Sequence, residues 1–124
     1  EEGIVPRGGA TLVHIAAQLN LEGLSDEEQV GAGIVRRAME EPARRIAENA
    51  GYEGALVVEK MKEQDPRVGF DVLQGRFVDM IAEGIVDPAK VIKAALQNAV
   101  SIASLVLTTQ VLIAEKKEEN DTSK

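Results

Sequence analysis

A mainly α fold follows from the stretch that opens with Ser25-Asp26-Glu27-Glu28. Ser25 can accept from the backbone N–H of Glu28 while the Glu28 carboxylate reaches back to the Ser25 N–H, the reciprocal bonding that starts a helix. Behind it, Val30, Ile34, Val35, Ala38, Met39, Ile46 and Ala47 keep helical spacing to about Asn49. Arg36, Arg37, Arg44, Arg45, Glu40, Glu41 and Glu48 fall on the wet side, where helical ion pairs or salt bridges to another subunit would use them. Pro42 has no N–H and crowds the preceding turn, so a kink or a restart is expected there.

Upstream, Gly3 to Gly9 reads as a turn leading into a short helix over Ala10–Leu19, with Leu12, Ile15, Ala16 and Leu19 as its apolar face. Downstream, Gly51 and Gly54 end the long helix, and a third runs from about Ala55 to Glu63 until Asp65-Pro66 stops it. Val68 to Asp79 holds two short β-favouring runs around a glycine turn, a hairpin carrying Phe70 and Phe77 where cross-strand packing suits them. Asp87-Pro88 reads as the start of a helix running to about Leu107. Thr108 to Ile113 favours a strand, and Lys116 to Lys124 a disordered polar tail.

The chain has 124 residues, a net charge of −7, no Cys, no Trp, one Tyr and two Phe, with 44% hydrophobic residues. One domain is the ceiling, with a core of aliphatic helices and few aromatic anchors. The acidic balance and missing aromatics exclude an extended nucleic-acid surface. The absence of Cys excludes a disulfide scaffold, a thiolate metal site and a Cys nucleophile. These residues contain no signal or transit peptide pattern. Ala94 to Ala114 carries no charge, close to the roughly 20 residues of a membrane span, but Gln97, Asn98, Ser101, Ser104 and Thr108 interrupt it, so no membrane segment is expected.

Few residues carry chemistry. Gly8 and Gly9, before a helix, either make a plain turn or let a phosphate approach the free N–H groups; no Gly-Lys-Ser/Thr follows, so this is no Walker A loop. Asp87 either caps its helix or accepts two hydroxyl donors, such as those of a ribose. His14 is the only His and reads as a surface or interface residue, and Met39, Met61 and Met80 as core fillers. The serines and threonines have no His base in any recognisable pattern, so nucleophilic catalysis has no support.

Together these segments resemble the C-terminal part of the equatorial domain of the group I chaperonins, the double-ring folding machines of bacteria, mitochondria and plastids. The match rests on Glu1-Glu2-Gly3-Ile4-Val5-Pro6 with Gly8-Gly9, Arg37-Ala38-Met39-Glu40-Glu41-Pro42, Ile46-Ala47-Glu48-Asn49-Ala50-Gly51, Gly84-Ile85-Val86-Asp87-Pro88-Ala89-Lys90-Val91 and Ala95-Leu96-Gln97-Asn98-Ala99, then Thr108-Thr109. The resemblance implies nucleotide contacts from Gly8 and Gly9, ribose binding by Asp87, packing of Ile85 on the adenine, and further base contacts from Asp71 and Val72. It implies ATP or ADP with Mg2+ as the family's cofactor and no metal ligand in these residues. It also implies that the strand near 111–113 pairs with a neighbouring subunit's hairpin.

Departures from the family pattern are Arg7, where a third glycine is usual, and Leu73, where a smaller residue is usual. At a position of positive φ, Arg7 would cost roughly 1 to 2 kcal/mol. The family's Asp-Gly-Thr-Thr-Thr segment, catalytic aspartate and apical domain lie upstream of the positions aligned with Glu1. The expectation is therefore a helical equatorial-domain fragment with a small hairpin and a C-terminal strand: residues 1–114 as half of that domain, 115–124 as the tail. It would share an ATP-dependent chaperonin's nucleotide and ring contacts without hydrolytic machinery of its own. Other ring subunits, a co-chaperonin and unfolded proteins would be partners of the whole machine, in bacterial cytoplasm or an organelle's stroma or matrix. The alternative is a stand-alone helical interaction module that self-associates through apolar faces.

Overall fold

The computed structural model describes residues 3–122, with side chains through 105 and at 108 and 109. It divides into two units, Gly3–Pro88 and the helix beyond it. The first contains β1 (Ile4–Pro6), α1 (Ala10–Ala17), α2 (Asp26–Asn49), α3 (Gly54–Lys62), β2 (Val68–Asp71), β3 (Arg76–Asp79) and β4 (Val86–Pro88). The second is α4 (Ala89–Thr122).

The capping box at the start of α2 is present as expected: the Glu28 N–H donates to Ser25 Oγ at 3.2 Å, and the Ser25 N–H to Glu28 Oε2 at 2.8 Å. Pro42 lies inside α2, which runs through it as one helix. Helices α1, α2 and α3 close on a core of Ala10, Val13, Ala43, Ala47, Val57, Val58 and Met61, with Phe70 and Phe77 of the hairpin packed against it. Small residues set how near the helices come. A methyl group on Gly9 would stand 2.7 Å from the Ala43 backbone N, and one on Gly54 would stand 2.7 Å from the Arg44 carbonyl O. All three methionines are buried, as expected of core fillers.

Hairpin β2–β3 is antiparallel with Phe70 opposite Phe77. Their rings meet edge-on at 5.1 Å, and Tyr52 adds a second edge contact to Phe70 at 5.0 Å. Met80 to Gly84 forms a turn, which leads to β4. One ion pair reaches the interior: Lys62 Nζ lies 2.8 Å from Oε1 of the buried Glu40 and 2.7 Å from Glu59. The Glu40 contact is close but falls short of hydrogen-bond direction. On the surface, Arg44 and Arg45 both pair with Glu41 within α2, the helical ion pairing anticipated for that face.

Several expectations are corrected. The turn-like opening pairs Ile4–Pro6 antiparallel with Val86–Pro88, so Asp87 lies in a strand and the last helix begins at Ala89. The residue before a proline is pushed out of the α region, which suits Asp87 to β4. The Thr108–Ile113 strand is absent; α4 continues through it and through 115–122, where a disordered tail is expected. β-Propensity is realised only against a neighbouring strand, and Ala114 to Glu119 are mostly strong helix formers. Ser123 and Lys124 lie outside the described residues. His14 is buried, not superficial, with Nε2 2.7 Å from the Val68 carbonyl O. On α1, Val13 is buried while Ile15 is 40% exposed: every residue from Ala10 to Ala17 except Thr11 and His14 is apolar, so spacing alone does not pick the face.

No helix among the described residues is long and apolar enough to cross a membrane.

Candidate functional site

Two backbone features build the site. Gly8 and Gly9 take φ of 74° and 78°, wrapping the chain from β1 into the start of α1. Such a left-handed pair costs L side chains energy that glycine does not incur. Beside them, β1 and β4 pair, and the Arg7 N–H extends the ladder to the Ile85 carbonyl O at 3.1 Å. Arg7 itself does not have a positive φ, so the strain that its substitution for glycine would bring is not incurred.

The β2–β3 hairpin supplies the third wall. Asp71 is buried, and its Oδ1 accepts from the N–H groups of Leu73 at 2.9 Å and Gln74 at 3.3 Å, shaping the turn. Tyr52 braces that turn, its hydroxyl donating to the Val72 carbonyl O at 3.3 Å. Leu73 stands at the tip, 94% exposed.

Between these walls lies an open cleft of about 800 Å³, lined by Arg7, Gly8, Gly9, Ile46, Phe70, Asp71, Val72, Leu73, Met80, Gly84, Ile85 and Asp87. All six positions singled out in the sequence, Gly8, Gly9, Asp71, Val72, Ile85 and Asp87, thus line one cavity. Such clefts, mostly apolar with a few convergent polar groups, are the usual form of small-molecule sites. Within this lining, Arg7 Nε donates to Asp87 Oδ1 at 3.1 Å. Of the six other lining residues, Arg7 and Leu73 entered the sequence reading only as departures from the family pattern, and Ile46, Phe70, Met80 and Gly84 were not assigned to the site. Ile46 belongs to the apolar stripe of α2 yet is 40% exposed, and only the fold shows that its exposed side faces a cavity.

The geometry offers the Gly8 and Gly9 N–H groups at a helix start, the Asp87 carboxylate and an aliphatic wall. That set can hold an anion, a pair of hydroxyls and a flat apolar ring.

Solved chaperonin structures share this fold. An open-state group III chaperonin matches with a TM-score of 0.78 at 32% identity, over 86% of this chain and 23% of that one. An open-state group II chaperonin monomer from Methanococcoides burtonii matches with a TM-score of 0.76 at 23% identity, over 84% of this chain and 27% of that one. The chain thus spans about a quarter of the length of these structures. The family model for the TCP-1/cpn60 chaperonins matches residues 1–117, and the chain belongs to that family.

Proposed function

We propose that this chain is the C-terminal part of a group I chaperonin's equatorial domain and supplies the adenosine side of its ATP site. The observation that carries this is the convergence of Gly8, Gly9, Asp71, Val72, Ile85 and Asp87 on one cleft. In this reading the glycine N–H groups face phosphate, Asp87 accepts from the ribose hydroxyls, and Ile85 with Val72 flanks the base. Mg2+ and the hydrolytic groups belong to sequence beyond these residues. Ring assembly with other subunits, a co-chaperonin and folding clients in bacterial cytoplasm or an organelle's stroma or matrix complete the proposal. The blocks from Glu1 to Thr109 support group I.

The test is a titration of the chain with ADP and Mg2+, followed by NMR at the backbone amides. Weak, fast-exchanging binding is expected, with the Gly8, Gly9 and Asp87 signals moving, and Asp87→Ala should lose most of it. With ATP no turnover is expected. Robust hydrolysis by the chain alone would contradict this division of labour.

A second reading, a self-associating helical module, is favoured by the outer face of α2. Val30 and Ile34 are 66% and 67% exposed and, with Gly33, Arg37, Ala38 and Glu41, line a groove of about 510 Å³. Exposed apolar surface of this kind drives association. Light scattering across a concentration series should show a dimer or larger species. A monomer at the highest concentration would remove this reading and leave the nucleotide one standing.

A further inference from the structure

We propose that Arg7 makes the cleft select nucleotides by their phosphate, an inference that rests on the nucleotide reading above. Arg7 stands immediately before Gly8 and Gly9 and is bonded through Nε to the carboxylate assigned to the ribose. Two anion-binding elements and one anion therefore line the same cleft: the guanidinium, the glycine N–H groups, and Asp87.

A carboxylate oxygen already accepting from a guanidinium is a poorer acceptor for a sugar hydroxyl. A bound nucleoside must share Asp87 with Arg7 or displace it. The pair is not deeply buried, with side chains 64% and 26% exposed, so displacement costs little. What the guanidinium does next depends on the ligand. Adenosine breaks the pair and offers nothing in return. ADP offers a phosphate, and guanidinium binds phosphate through charge-assisted, paired hydrogen bonds that are stronger than neutral ones. Moving to that phosphate, Arg7 would stand beside the glycine N–H groups that favour the same anion and would leave Asp87 free for the ribose. Arg7 thus suppresses the unphosphorylated nucleoside and supports the phosphorylated one, a specificity-determining role in binding.

The substitution Arg7→Ala isolates this effect. Arg7 has no strained φ, and alanine keeps the backbone N–H that bonds Ile85, so the fold is retained. Adenosine and ADP are each titrated into the wild-type chain and the variant, with affinities read from the Gly8 and Gly9 amide signals. The wild type should prefer ADP by about tenfold, in line with one charge-assisted contact. In the variant, adenosine should bind about threefold tighter than in the wild type, as expected for releasing an exposed pair, and the preference for ADP should fall to the smaller part that the glycine N–H groups supply. Unchanged adenosine affinity and an unchanged ADP preference, with the glycine signals still moving, would overturn the role of Arg7 and leave the nucleotide site intact. Glycine signals that respond to neither ligand in either protein would overturn the site itself, and this inference with it.

Discussion

Replacing Gly9 by alanine should cost roughly 3 kcal/mol or more and lower the melting temperature by at least about 10 °C. Two penalties act at one atom. The residue sits at φ 78°, where an L side chain is strained by about 1 to 2 kcal/mol. The new Cβ would also stand 2.7 Å from the Ala43 backbone N and 3.0 Å from its Cα, and backbone cannot swing aside as a side chain can. Relief requires moving α1 off α2, which opens the core around Ala10, Val13 and Ala43. Gly8→Ala is the control: its φ is 74°, but a methyl there meets nothing within 4 Å, so only the backbone strain applies. Thermal melting followed by circular dichroism separates the two. Equal losses at Gly8 and Gly9 would mean that helix–helix contact contributes nothing at this point. Against a typical domain stability of about 5 to 15 kcal/mol, the Gly9 change removes a large share.

The second large effect is expected from Lys62→Met, which leaves the buried Glu40 without its cation. Breaking a buried pair on one side typically costs about 3 to 5 kcal/mol; Lys62 is 25% exposed, so water offsets part of this and a loss of about 2 to 3 kcal/mol is expected. Glu40→Leu with Lys62→Met removes both charges, and most of the loss should return. Urea unfolding of the single and double variants measures this; a double variant no more stable than Lys62→Met would show that the cost lies in lost packing. The pair also has a pH signature. Burial opposes the Lys62 charge, but its contacts with Glu40 and Glu59 more than offset that, raising its pKa above the usual 10.5. A pKa raised by folding contributes stability that is complete below the unfolded value and is lost as pH rises through the folded one. The contribution should therefore hold through neutral and mildly alkaline solution and fall away above about pH 10.5.

What could be read from residues alone follows the range of the forces involved. The start of α2 was readable because a capping box is local: Ser25 and Glu28 satisfy each other within one turn. The hairpin was readable because Phe70 and Phe77 flank a glycine turn that fixes their register. The β1–β4 ladder was not, because its partners lie far apart along the chain and each run is only three residues long. His14 misled for a related reason: its satisfying acceptor, the Val68 carbonyl, is distant in sequence. The strand expected after Thr108 overvalued β-branched composition where helix α4 offers each residue its hydrogen bonds locally. For the site, physical reading of Gly8, Gly9 and Asp87 left a turn and a cap as alternatives, and the family resemblance chose among them. Their common cavity adds support, and the Arg7–Asp87 bond is the feature that no pattern of spacing could have supplied.

The ladder between Ile4–Pro6 and Val86–Pro88 has a thermodynamic corollary. It closes nearly the whole of the first unit into a single loop, and Arg7, Ile85 and Asp87 become neighbours only when that loop is shut. Closing a loop of this length costs entropy that must be met before the cleft exists. A partly folded unit therefore has an incomplete site: the helices and the hairpin can form and still leave the Arg7 and Asp87 sides of the cleft apart. Any ligand that bridges them is coupled to the cooperative folding of every residue in between, and it stabilises the entire unit by an amount set only by its concentration and affinity. Occupancy of the cleft would then be a readout of completed folding.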